Sequence, residues 1–200
     1  MKPGQKFRNA LKNNKPLIIP GTINAYSAKL AELANHNSIY LSGSGVAAAS
    51  YGLPDLGVTT LENVLIDAKR ITSATSLPLL VDIDTGWGDF DAISNTIIEM
   101  GNANVAAVHI EDQIFDKRCG HRPNKQLVSI DEMQDRLKAA LDAKIDDSFF
   151  IMARTDALAS EGIEKAIERC GKYLDVGADG IFFEAAVSIE EYKEFKNNFS

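Results

Sequence analysis

Short apolar runs alternate with amphipathic stretches along the whole chain, so the hydrophobic period switches repeatedly between about two and about 3.6 residues. Residues 2–12 predict a short leading helix. Residues 16–20 predict a first strand, bracketed by Pro16 and Pro20 and stopped by Gly21. Asn24 caps a predicted helix that runs to about Asn35, and residues 38–42 form the second strand. This strand opens into Gly43-Ser44-Gly45 and a long loop carrying Asp55. Thr60 caps the next helix, with Leu61, Val64, Leu65, Ala68 and Ile71 on one stripe. Further strands are expected at 78–84, 105–111, 149–154 and 179–184. Helices are expected between them at 91–100, from Ser129 onward with Glu132 placed for a capping box, and at 162–176. A last helix starts at 189.

Strand and helix in strict succession predict an all-parallel sheet with helical crossovers. The polar residues then choose between an open sheet and a barrel. Ser42, Asp82, Asp84, His109, Glu111, Arg154, Asp156 and Glu184 all fall at the carboxyl ends of strands. Alternation puts Asp82 with Asp84, His109 with Glu111, Tyr40 with Ser42, and Arg154 with Asp156 on one side, and apolar residues on the other. Groups converging from several strands onto one rim describe a (β/α)8 barrel; an open sheet would gather them at a single switch point. Six strands are counted where the barrel has eight. The reading is therefore a single barrel domain over residues 1–200, truncated at its carboxyl end, and these residues alone are expected to be inactive and poorly stable.

Composition narrows the function. At 45% hydrophobic and 24% charged residues, the chain is an ordinary globular protein. Its net charge of −7 argues against nucleic-acid or anionic-membrane partners, so an anionic ligand needs a local basic patch. Cys119 and Cys170 make no disulfide framework, and residues 1–10 contain no apolar signal region, so a reducing cytoplasmic setting is expected. Cys170 sits mid-helix as a core thiol.

Two groups of residues carry candidate chemistry. Asp82, Asp84, Glu111 and Glu184 on one rim repel one another unless a hard divalent cation lies between them; the competing arrangement is ion pairing with Arg154 or a lysine. Residues 117–125 place Cys119 and His121 among Lys117, Arg118, Arg122 and Lys125. Cationic neighbours favour a thiolate, which makes such a cysteine a candidate acid or base.

The segments 81–88, 109–113 and 117–125 together resemble the isocitrate lyase / phosphoenolpyruvate mutase superfamily, and the likeness extends over the whole chain. The resemblance implies a Mg2+-dependent (or Mn2+-dependent) retro-aldol cleavage of 2-methylisocitrate to pyruvate and succinate, a step of propionate breakdown. The alternatives are an isocitrate or related 2-hydroxy or 2-oxo acid lyase, or an inactive barrel fragment. On this likeness Asp82 and Asp84 hold the metal, with Asp55 and Glu111 supporting it. Cys119 is the proton donor and Tyr40 handles the hydroxyl proton. Ser42, Gly43, Ser44, Thr85, Gly120, His121, Arg154 and Glu184 map onto substrate-binding positions. Lys117, Arg118 and Arg122 would offset the charge of a tricarboxylate. A homo-oligomer, tetrameric in the family, is also implied. Ser44 departs from the family, which has a glycine there.

Overall fold

The computed structural model describes residues 1–199. It contains helices α1 (Pro3–Asn13), α2 (Ala25–Leu33), α3 (Gly43–Tyr51), α4 (Leu61–Ala74), α5 (Phe90–Asn102), α6 (Ile130–Asp142), α7 (Leu158–Glu161), α8 (Ile163–Val176) and α9 (Ile189–Asn198). The strands are β1 (Ile39–Leu41), β2 (Leu79–Asp82), β3 (Ala107–Glu111), β4 (Phe150–Thr155) and β5 (Gly180–Phe183). They form one parallel sheet in the order β1-β2-β3-β4-β5. Spatial order equals chain order with no reversal, which is barrel winding rather than a doubly wound sheet.

The pleat divides every strand between two environments. Ile39, Leu41, Leu79, Val81, Val108, Ile110, Ile151 and Ala153 join the large core against the surrounding helices. The other face carries Leu80, Ala107 and Phe150 at its lower end, packed on Phe7 of α1. Phe7 meets Phe150 edge-on at 5.2 Å. Helix α1 is therefore the floor of the barrel. Arg8 fastens it, donating to the Ser148 carbonyl at 2.9 Å and pairing with Asp179 at 2.7 Å. At Gly4 a Cβ would lie 2.2 Å from the Ser148 oxygen, so only glycine fits that contact.

Two expectations need correction, and with the first the strand count falls from six to five among the described residues. Residues 16–20 are not a strand: the segment joins the sheet only through the Gly21–Tyr40 bridge, with Tyr40 N–H donating to the Pro20 carbonyl at 2.9 Å. Pro16 and Pro20 have no N–H to offer a ladder. The stretch after Ser42 is not a loop but α3, because the Ser42 hydroxyl accepts from Gly45 N–H and caps a run of alanines. The short α7 was also unexpected. Elsewhere Asn24, Thr60 and Ser129 do cap helices; Glu132 turns to Arg136 (2.7 Å).

Candidate functional site at the carboxyl rim of the sheet

The inward face turns polar at its upper end. Register places Asp82 beside His109 and Glu111 beside Arg154. One oxygen each from Asp82, Asp84 and Glu111 lie within 4.8 Å of one another, and all three residues are buried. Asp84 lies two residues past the end of β2, at φ 47°, a left-handed conformation that aspartate tolerates better than most residues. Asp82 accepts from Gly43 N–H at 3.2 Å and Asp84 N–H at 3.1 Å, so the amino end of α3 points at this carboxylate. A Cβ on Gly43 would lie 3.2–3.3 Å from the oxygens of Asp84 and Asp82, so glycine permits the approach.

Two cations offset part of the negative charge. Lys117 Nζ lies 2.6 Å from Asp55 and 2.6 Å from Asp84. Arg154 Nε lies 2.9 Å from Asp156 and 3.2 Å from Glu111. Burial raises the Asp84 carboxyl to about 6, and the nearby Asp82 charge adds to it. Burial pushes Glu111 well above the usual carboxylate range, against the pull of Arg154. Asp82 is lowered, since His109, Arg154 and Lys117 together outweigh its burial. Neither oxygen of Glu111 accepts a hydrogen bond among the described residues. Buried carboxylate oxygens without donors, grouped this closely, fit a hard divalent cation.

A cavity of about 250 Å³ lies beside the cluster, lined by Tyr40, Ser42, Asp55, Asp82, Cys119 and Arg154 among others. Ser44, Lys117, Gly120, His121, Phe182 and Glu184 complete its wall. The Tyr40 hydroxyl is 2.9 Å from His109 Nε2. Burial holds the imidazole down to about 4 and raises the phenol, so both are neutral around pH 7. Phe182 packs on the other face of the imidazole at 4.6 Å and lies 5.7 Å from the Arg154 guanidinium carbon. His121 is largely exposed, with Nδ1 3.4 Å from Glu184.

Twelve of the fourteen residues picked from sequence come together here, either in the cavity wall or in the carboxylate cluster. Gly43 and Thr85 do not line the cavity: the Gly43 N–H is engaged by Asp82 and Thr85 is buried. Lys117 is not a free cation for substrate; it is buried between Asp55 and Asp84. Sequence reasoning passed over Phe182, an apolar residue within a strand, and gave no site role to Asp156 or Lys125, which pair with each other across 31 residues.

Fold and site together define a parallel α/β barrel-type protein with a metal-competent carboxylate cluster and a cysteine at its carboxyl rim. The sequence pattern of the phosphoenolpyruvate phosphomutase family matches residues 7–200, and the chain belongs to that family. A 2-methylisocitrate lyase of Shewanella oneidensis is 61% identical over 96% of this chain and 66% of its own length. That of Escherichia coli is 55% identical over 96% and 66%. A 2,3-dimethylmalate lyase crystal structure superposes with a TM-score of 0.94 at 34% identity, over 100% of this chain and 68% of that one. The chain thus spans about two thirds of the length of the relatives it matches.

Proposed function

We propose that the protein is a lyase that cleaves 2-methylisocitrate to pyruvate and succinate in the cytoplasm, with Mg2+ as its metal, as one barrel domain of a homo-oligomer. The carrying observation is the cavity in which Cys119 and Tyr40 stand beside the Asp82–Asp84–Glu111 cluster. Identities of 54–61% to four 2-methylisocitrate lyases support the choice of substrate.

When bound, the cation supplies Lewis-acid stabilisation of negative charge on the substrate oxygens. Asp82 and Asp84 would hold it, with Glu111 and Asp55 in support. Arg154 is anchored through Nε and Nη2 to Asp156, which leaves Nη1 free to grip a substrate carboxylate. Ser42, Ser44, Gly120, His121 and Glu184 orient the remaining polar groups. The Tyr40 hydroxyl, bonded to His109, receives the proton of the substrate hydroxyl and passes it on through that bond. The hydroxyl carbon becomes the ketone of pyruvate as its bond to the neighbouring carbon breaks. The electron pair stays on the succinate side, and the Cys119 thiol delivers a proton to that carbon.

Pyruvate release from 2-methylisocitrate, with isocitrate run in parallel, tests the reading on a chain extended to the length of its relatives, since these residues alone are expected to be inactive. Turnover of the first that requires Mg2+ and falls by about 10²-fold or more in Cys119→Ser supports it. Folded protein without turnover, or full activity in the variant, overturns it.

A further inference from the structure

The lysine at the end of the cysteine loop has a role that the chemistry above does not use. Lys125 is buried. Its ammonium donates to the Gly120 carbonyl at 2.5 Å and to Asp156 Oδ1 at 3.0 Å. Asp156 is buried and is the same carboxylate that grips Arg154 through Nε and Nη2. Arg154 comes from β4 and Lys125 from the loop, so one carboxylate joins the substrate-facing guanidinium to the loop. A buried ammonium persists only where partners of this kind compensate its lost hydration.

The loop is tied down at three places. Lys117 anchors its start on Asp55 and Asp84. The Gln113 amide accepts from Arg118 N–H at 3.0 Å and donates to its carbonyl at 2.9 Å. Lys125 closes the far end into a ring back to Gly120, one residue after Cys119. Gly120 has no space for adjustment: a Cβ there would lie 2.5 Å from both Arg154 Nη2 and Glu184 Oε1. Its position, and through it that of Cys119, is set by the carbonyl bond to Lys125 on one side and by Arg154 and Glu184 on the other.

We propose that Lys125 is a positioning residue, a latch whose ammonium ties Gly120 to Asp156 and so fixes where the Cys119 thiol stands in the cavity. This rests on the lyase reading for its purpose but not for its test. Without the latch the loop end lifts and the thiol is presented to solvent, while Arg154 keeps its own bonds to Asp156.

The test is iodoacetamide alkylation of Cys119 in the full Mg2+-loaded chain, followed by mass spectrometry, with Cys170 as internal control because it is fully buried. In Lys125→Met the Cys119 rate should rise at least tenfold while Cys170 stays unreacted. Lys125→Arg, which keeps the charge, should remain within threefold of wild type. Cleavage of 2-methylisocitrate by Lys125→Met should lose kcat at least tenfold with KM within threefold. Should Lys125→Met fail to fold, Lys125→Met/Asp156→Asn removes the carboxylate that loss of Lys125 leaves unpaired and carries the alkylation expectation alone, because Asp156 also anchors Arg154. A folded variant whose Cys119 reacts within twofold of wild type overturns the latch, and so does one in which Cys170 reacts in parallel, which would mean general loosening. Wild type without turnover overturns the lyase reading alone, since the alkylation comparison stands without it.

Discussion

Among single residues, Glu111 is held in the least comfortable state, buried and with neither oxygen hydrogen-bonded among the described residues. Glu111→Gln removes a charge that only a cation or Arg154 offsets. Divalent affinity should fall by roughly 10–100-fold by titration calorimetry, while the thermal midpoint of the metal-free protein stays at or above wild type. A variant that binds Mg2+ as tightly as wild type would take Glu111 out of the metal site. Cys170 behaves oppositely, as a group that gains from burial. Its thiol is pushed up to about 12 by burial, with the charge of Asp112 adding to it. The unfolded thiol ionises near pH 9 and the folded one cannot follow, so this contribution to stability is complete below pH 9 and is lost as pH rises towards 12. Between pH 9 and 11 the unfolding free energy of wild type should drop about 2 kcal/mol more than that of Cys170→Ala, measured by urea titration.

At the scale of elements, α1 contributes stability rather than chemistry. Phe7 fills the floor against Phe150 and Leu80. Phe7→Ala should cost about 3 kcal/mol in urea unfolding and leave divalent affinity unchanged, because the cavity lies at the opposite end of the strands. Elements of regular period were the legible ones. The strands at 79–82, 107–111, 150–155 and 180–183 are short apolar runs of strand length, and Asn24, Thr60 and Ser129 announce their helices. What misled was composition without hydrogen-bonding partners. Pro16-Leu17-Ile18-Ile19-Pro20 is apolar enough for a strand but lacks donors. Gly43-Ser44-Gly45 has the residues of a turn but is capped by Ser42 and continued by Val46 to Ala49. The rim residues were legible for the same reason as the strands, since i, i+2 spacing fixes their face. Lys117 and Lys125 were not, because a lysine's partner is chosen by loop geometry: Asp55 is 62 residues away and Asp156 is 31.

For the whole molecule, the carboxylate cluster couples metal occupancy to stability, since a cation that binds only the folded chain stabilises it by mass action. At about one hundred times its dissociation constant Mg2+ should add about 2.7 kcal/mol, raising the thermal midpoint by roughly 5–10 °C. EDTA should reverse the shift and Asp82→Asn should abolish it. An unchanged midpoint in wild type at saturating Mg2+ would contradict the assignment of the cluster.

The fastening of α1 has a consequence during synthesis. The helix leaves the ribosome well before its partner, since the aspartate that pairs with Arg8 lies 171 residues later. At about 5–20 residues per second, the helix waits roughly 10–30 s for that partner. Through that interval Leu80, Ala107 and Phe150 emerge in turn, each before the Arg8–Asp179 pair can fasten α1 beneath them. The nascent chain therefore holds this apolar patch only loosely covered until β5 has been made, which makes that interval the window in which a chaperone has something to hold.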